Sequence, residues 1–123
     1  MEPVQMISGL RAQIGASAWL APNLTGKLFG LDPEGNPQAA FMARLFGVRD
    51  IALAAGTLGS EGTARTQWLR LGVACDLADA AAAYLAGRNG TVPKHAAILA
   101  GGTALAAAGM GVAALNQPSP TPA

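Results

Sequence analysis

Apolar residues dominate four long stretches of the chain, and polar or helix-breaking residues separate these stretches. The last stretch, from Ala96 to Leu115, contains 20 residues and no charged side chain. At about 1.5 Å of rise per residue, a helix of this length would measure roughly 30 Å, which is the thickness of the hydrocarbon core of a bilayer. The pattern therefore predicts helices that are long enough to cross a membrane.

The breaks between the apolar stretches predict four helices, over residues 4–20, 38–58, 66–86 and 96–115. The segment from Pro22 to Pro37 contains three prolines and three glycines, which predicts a loop, with a short interfacial turn over residues 24–31 as an alternative. The tail, residues 116–123, contains three prolines and is predicted to be disordered. The predicted fold is an all-α, four-helix transmembrane bundle in one domain, residues 1–115, of a multi-pass protein of the cell membrane.

Composition supports this prediction but leaves one alternative open. Charged residues make up 12% of the chain, about half of the roughly 25% that is usual in soluble proteins. Many of the apolar residues are alanines and the mean hydropathy is only +0.33, so a soluble, alanine-rich four-helix bundle is the alternative. The net charge of +1, without a basic run, excludes nucleic acid as a partner. The chain has one cysteine, Cys75, and one histidine, His95, so we expect neither a metal site nor a cofactor.

Small residues recur at helical spacing in two of the predicted helices. The last helix has Ala100, Ala104, Ala108 and Gly111, and the third has a row of alanines at 74, 78 and 82. Such rows let neighbouring backbones approach closely, and we interpret them as packing surfaces within the bundle. A homodimer face is the alternative. The expected partners are membrane lipids and either a second copy of the chain or a larger membrane complex.

Ionisable residues inside the predicted helices carry the functional argument. Asp76 and Asp79 are three positions apart and so lie on one face of the third helix, for which Arg49 is the natural counter-ion. Arg11 and Asp50 also lie within predicted helices, and Asp50 is placed to reach Arg11 or a helix end. Because an unpaired charge at bilayer depth costs about 2.5 to 3.5 kcal/mol, we predict that all five face inward and form one cluster. Without a guanidinium between them, one of the two close carboxylates would keep its proton.

Three functions are compatible with this cluster. In the first, Arg11, Arg49, Asp50, Asp76 and Asp79 line a pocket that binds a small apolar molecule, such as a lipid or a quinone-like compound. In the second, the protein is an accessory subunit of a larger complex, and the charges form a structural network that fixes the register of the helices. In the third, the protein is a small membrane enzyme of the epoxide hydrolase or isomerase type, with Asp76, Asp79 and Asp50 as candidates for acid–base catalysis.

Three short motifs carry a resemblance to a known group of proteins. The segment from Arg44 to Asp50 (RLFGVRD), followed by Trp68-Leu69 and by residues 76–79 (DLAD), resembles small actinobacterial four-helix membrane proteins of unknown function, which look like relatives of the DoxX-type proteins. The likeness covers about Gly9 to Leu115. It implies a four-helix membrane fold and, since DoxX-type proteins are associated with membrane redox partners, a partner of that kind. The single thiol, Cys75, does not provide the pair that a dithiol role requires.

Overall fold

The computed structural model describes residues 2–117, and over this range the chain folds into five helices. The prediction of an all-α protein agrees with this, although the structure has one helix more than predicted. All of the predicted tail beyond residue 117 lies outside the described residues. The helices are α1 (Pro3–Leu20), α2 (Pro22–Leu28), α3 (Ala39–Leu58), α4 (Gly62–Arg88) and α5 (Lys94–Leu115).

Prolines and local hydrogen bonds determine where the first two helices begin and end. Pro3 occupies the first turn of α1, where its missing N–H leaves no bond unmade, and the backbone N–H of Glu2 donates to the side chain of Gln5 over 3.4 Å. The N–H of Ala21 closes α1 by donating to the carbonyl of Ser17 over 2.8 Å. Pro22 then begins α2. The prediction of a loop was therefore wrong for residues 22–28, since a proline that ends one helix also starts the next.

The four long helices pack in two antiparallel pairs. Helix α1 packs mainly against α3, and α4 mainly against α5, while smaller contacts between α1 and α5 and between α3 and α4 join the pairs. The short helix α2 packs against α1 and α3. Small residues fill much of the centre: the α5 residues Ala104, Ala107, Ala108 and Gly111 are all buried. The row of alanines at 74, 78 and 82 on α4 is instead exposed, and so is Ala100 of the α5 row. Only the α5 row from Ala104 onward therefore serves packing inside the bundle.

The tight contact between α1 and α3 depends on two glycines. A Cβ atom built on Gly15 would lie 2.7 Å from the carbonyl oxygen of Gly47, and one built on Gly47 would lie 2.6 Å from the carbonyl oxygen of Gly15. Both distances are shorter than a van der Waals contact. In each case the added Cβ atom would clash with a backbone atom of the other helix. Any side chain at either position therefore requires the two helices to move apart.

We expect Gly47→Ala to lower the free energy of unfolding by about 1 to 3 kcal/mol, since overpacking is not relieved without moving backbone. The control is Gly9→Ala on α1, where an added Cβ meets nothing within 4 Å and should raise stability by up to about 1 kcal/mol through helix propensity. Urea denaturation of both variants measures the two effects. Equal stabilities of Gly47→Ala and Gly9→Ala would contradict the close approach of α1 and α3.

The prediction of a four-helix transmembrane bundle, and with it a multi-pass location in the cell membrane, was wrong. Within residues 2–117, α5 alone is long and apolar enough to cross a membrane, and the tightly packed core helix of a soluble protein can meet the same criterion. The other long helices fall short because their apolar residues alternate with polar ones. Helix α3 contains Arg44, Arg49 and Asp50, and α4 contains five charged side chains.

Large apolar side chains are nevertheless exposed on every helix. Phe41 on α3 is 64% exposed, Leu28 on α2 is 71% exposed and Ile98 on α5 is 73% exposed. Such side chains adsorb other apolar molecules without a specific site. Binding experiments on this protein therefore need variants that alter the interior and leave this surface unchanged. If the protein is an accessory subunit, a protein partner covers these side chains. That role stays a prediction.

Candidate functional site

Two bidentate ion pairs connect the helices near the middle of the bundle. The first joins Arg11 of α1 to Asp76 of α4, with Nη1 donating to Oδ1 over 2.9 Å and Nη2 to Oδ2 over 2.6 Å. Both side chains are almost completely buried, with exposed fractions of 6% and 5%. Helices α1 and α4 lie diagonally across the bundle, where no Cα atoms of their described residues approach within 8 Å. The pair therefore reaches across the centre of the protein.

Gly72 provides the space that the Arg11 guanidinium occupies. A Cβ atom on Gly72 would lie only 2.6 Å from Nη2 of Arg11. Gly72 lies one turn before Asp76 on α4, so the same face of the helix presents both the space and the carboxylate. The sequence shows that these two residues share a face. It does not show that an arginine from α1 would fill the space, because that depends on the diagonal distance between the helices.

The second ion pair joins α3 to α4 and is less buried. Nη1 and Nη2 of Arg49 donate to Oδ1 and Oδ2 of Asp79 over 3.0 and 2.5 Å, and the two side chains are 35% and 28% exposed. The ring of Phe46 lies 4.7 Å from the Arg49 guanidinium carbon, in the geometry of a cation–π contact. Sequence reasoning missed Phe46, although a residue three positions before Arg49 lies on the same helix face.

Asp50 is the carboxylate without its own hydrogen-bonded guanidinium. The residue is 4% exposed, and Nη2 of Arg49 lies 3.5 Å from its Oδ1, within ion-pair range but outside hydrogen-bond geometry. Among residues 2–117, no donor bonds to this Oδ1 atom. Burial raises the pKa of Asp50 to about 6, while the charges of Arg49 and Arg11 act in the opposite direction. Asp50 can thus exchange a proton near neutral pH.

A cavity of about 570 Å³ connects this group of charges with one end of the bundle. Asp50, Asp76, Asp79 and Arg11 border its inner part, and the loops before α3 and α5 border its outer part. From Ala39 to Asp50, both of which line it, the cavity follows α3 for about 16 Å. Most of the wall between is apolar, with side chains from the three helices α1, α3 and α5: Leu10, Ile14, Ala18, Met42, Ala43, Phe46, Ala100, Ala104 and Ala107.

One loop packs over the outer part of the cavity in a conformation that depends on glycine. Gly30 has a φ of +83°, which favours glycine, and a Cβ at this position would lie 2.5 Å from the ring of His95 at the start of α5. Nearby, the backbone N–H of Gly35 donates to the Asp32 carboxylate over 3.1 Å. These contacts position Phe29, Leu31 and Asp32 as cavity residues, within a segment that the sequence predicted to be a loop.

The structure brings all five predicted site residues together, although it pairs them differently from the prediction. Arg49 was expected to serve the Asp76 and Asp79 carboxylates as their shared counter-ion, but each of the two has its own arginine. Asp50 was expected to reach Arg11 or a helix end, and it lies beside Arg49 instead. In the described part of the chain, no three His, Cys, Asp or Glu side chains are arranged to share a metal ion. Their ligand-binding and catalytic roles stay predictions.

Comparisons with family models, with curated proteins and with solved structures find no match to this chain. The resemblance to DoxX-type proteins therefore stays a prediction, and the functional argument depends on the geometry of the cavity.

Proposed function

We propose that the protein binds a small, largely apolar molecule in the cavity, and that Asp50 accepts a hydrogen bond from the polar group of this molecule. The observation that carries the proposal is the unpartnered Oδ1 atom of Asp50, a buried carboxylate on the cavity wall. A buried acceptor without a donor costs about 1 to 3 kcal/mol, and more when it is charged. A ligand that donates to the Asp50 carboxylate from the cavity would recover part of that free energy on binding.

A purely structural role explains the two ion pairs better than it explains Asp50. The pairs of Arg11 with Asp76 and of Arg49 with Asp79 already connect α1 and α3 to α4. A third carboxylate beside them adds desolvation cost and negative charge without adding a connection between helices. Buried groups with a strongly shifted pKa, located in a cavity, are found preferentially at functional sites.

The chemistry of the cavity restricts the kind of ligand. Its volume lies within the range of about 300 to 1,000 Å³ that is usual for small-molecule sites, and its walls are mostly apolar. An ionised Asp50 accepts hydrogen bonds and donates none, so it suits a hydroxyl, amine or amide N–H. A quinone carries only acceptors and would suit Asp50 in its protonated form alone. We therefore favour a ligand with a donor group over the quinone-like ligand that the sequence suggested.

Native mass spectrometry of the protein purified from expressing cells tests this proposal. The wild type should carry a bound small molecule that is absent from Asp50→Asn. Glu61→Gln is the matched control, since it removes an exposed carboxylate before α4 and should retain the molecule. Wild-type protein that binds nothing, both as purified and in a screen of apolar alcohols and amines, would overturn the proposal.

A second candidate function is acid–base catalysis by Asp50 on a bound apolar substrate such as an epoxide or an enone. The pKa of about 6 favours it, because a catalytic acid or base works best when its pKa lies near the operating pH. Asp76 and Asp79 suit this role less well, since both of their oxygens accept bonds from arginine. Turnover that stops in Asp50→Asn and persists in Glu61→Gln would support catalysis. Binding without any conversion would leave the binding function alone.

A further inference from the structure

We infer that the ligand is a cationic amphiphile, an organic ammonium on an apolar body, whose N–H group donates to the carboxylate of Asp50. This inference rests on the proposed binding function and specifies the chemical class of its ligand. Three observations support it: the charge balance of the site, the position of Asp50 at the inner end of an apolar cavity, and the ring of Phe46 near that end.

The charge balance favours a cation. Arg11 and Arg49 supply two positive charges to the cluster, and Asp50, Asp76 and Asp79 supply three negative charges, which leaves one negative charge in excess. Both arginines donate bidentate bonds to the other two carboxylates, so the excess charge belongs to Asp50. A bound monocation would make the cluster neutral, whereas a carboxylate ligand would double the excess negative charge.

The residues on the cavity wall show the same bias. Its charged residues are one arginine and four aspartates, since Asp32 borders the outer part and Arg49 does not line the cavity. A cation therefore meets carboxylates at both ends of the cavity. The negative charge of Asp32 near the outer end would attract it, and the charge of Asp50 would hold it at the inner end.

The shape of the cavity determines how an amphiphile would lie. The ammonium would occupy the inner end beside Asp50, and the apolar body would extend past Ile14 and Met42 toward the loops. Phe46 lines the same inner part, and its ring already contacts one guanidinium. Aromatic faces attract organic cations as well. A charge-assisted hydrogen bond from ammonium to carboxylate is about twice as strong as a neutral one, which compensates for the removal of the cation from water.

The ionisation of Asp50 agrees with this ligand class. Burial raises the pKa of this carboxyl to about 6, so most of it is ionised at pH 7.5. The charged groups that act on it are Arg49, Arg11, Asp76 and Asp79, and a bound ammonium would add one more positive charge. Binding of the cation should therefore weaken as the pH falls below about 6.

The experiment compares four ligands that share a decyl chain: decylamine, decanol, decanoate and decyltrimethylammonium. Isothermal titration calorimetry at pH 7.5, below the micellar concentration of each compound, gives their affinities. We expect decylamine to bind about 10-fold tighter than decanol and decanoate to bind weakest of the four. Decyltrimethylammonium carries the charge without an N–H donor, so its affinity should lie between those of the amine and the alcohol.

Variants separate the cavity from the apolar surface. In Asp50→Asn, the preference for amine over alcohol should fall to within about 2-fold, while Glu61→Gln should keep the full preference. Ala100→Phe fills the cavity from a position that is itself partly open to solvent, and should reduce the affinity for every decyl ligand. Asp50→Asn and Glu61→Gln leave the apolar surface unchanged, whereas Ala100→Phe enlarges it at an exposed position. A loss of affinity in Ala100→Phe therefore reports on the cavity and not on the surface.

The outcomes distinguish the two proposals. Equal affinities of amine and alcohol in the wild type, both reduced by Ala100→Phe, would overturn the cationic ligand and leave the binding function standing. Affinities that Ala100→Phe does not change would place the alkyl chains on the surface and overturn both. An amine preference that persists in Asp50→Asn would overturn the assignment of Asp50 as the recognising group.

Discussion

Asp76→Asn is expected to lower the free energy of unfolding by about 3 to 5 kcal/mol, the largest effect of any single substitution considered for this protein. The substitution removes the negative charge and leaves the shape of the side chain almost unchanged. Arg11 then remains 5% exposed in the centre of the bundle without the carboxylate that accepts its two hydrogen bonds. A buried charge that loses its partner costs much more than the pair itself contributes, because its desolvation is no longer compensated.

The second ion pair is the natural comparison for this prediction. Asp79→Asn should cost about 1 kcal/mol, since Arg49 and Asp79 are roughly one-third exposed and water replaces much of the lost interaction. The double variant Arg11→Met/Asp76→Leu removes both charges and should recover most of the stability lost in Asp76→Asn. Urea denaturation at pH 7.5 measures all three. Equal losses in Asp76→Asn and Asp79→Asn would contradict the deep burial of the Arg11 pair.

Asp50→Asn is expected to affect stability in the direction opposite to Asp76→Asn. It should raise the free energy of unfolding by about 1 to 3 kcal/mol at pH 7.5. The pKa of Asp50 is about 6 in the folded protein and close to its ordinary value of 3.8 in the unfolded chain. The folded state therefore binds more protons than the unfolded state between these two values. Stability then falls as the pH rises from about 4 to above 6, and an uncharged side chain at position 50 removes this loss.

The measurement is the difference in unfolding free energy between Asp50→Asn and the wild type at a series of pH values. The stabilisation should be near zero at pH 3.5, grow through pH 5 and reach a plateau above pH 7. Glu61→Gln, which changes an exposed carboxylate, should show no such dependence. A stabilisation that is independent of pH would show that the charge of Asp50 is not its source, and a destabilisation at pH 7.5 would contradict the cost of burying it.

Together with the binding experiments, this result would show whether stability and function conflict at position 50. A substitution that stabilises the empty protein and removes ligand binding is typical of functional sites, where a group is retained despite its cost to the fold. Asp76 should behave differently. Its loss destabilises the protein, and any effect on the cavity follows from the displacement of Arg11.

Helix positions could largely be read from the sequence, and so could the identity of the buried charges. Prolines and glycines interrupt the apolar pattern at residues that the structure also places at or near helix ends, because they restrict or free the backbone locally. Arg11, Asp50 and Asp76 lie in the middle of apolar stretches, where a charge is stable only beside another charge. We expected these residues to meet because a buried charge needs a partner. That need is the same in a membrane and in a protein core that excludes water.

Which arginine pairs with which aspartate was decided by the tertiary structure alone. The choice depends on the distance between α1 and α4 across the bundle, on the space left by Gly72, and on the close approach of α1 and α3 at Gly15 and Gly47. None of these distances is encoded in the spacing of residues along one helix. As a result, the sequence pointed to Asp76 and Asp79 as the informative pair, and the structure identifies Asp50 as the carboxylate that accepts no hydrogen bond from an arginine.

The sequence by itself determined that the protein is helical and that a few ionisable side chains are enclosed among small apolar residues, because helix formation and the cost of an isolated charge are local properties. The prediction of four membrane spans was incorrect for a reason that also lies in the sequence, since among the described helices only α5 is both long and apolar enough to cross a membrane. Only the tertiary structure decided the pairing of the charges and the shape of the cavity, because both depend on contacts between residues that are distant in the chain.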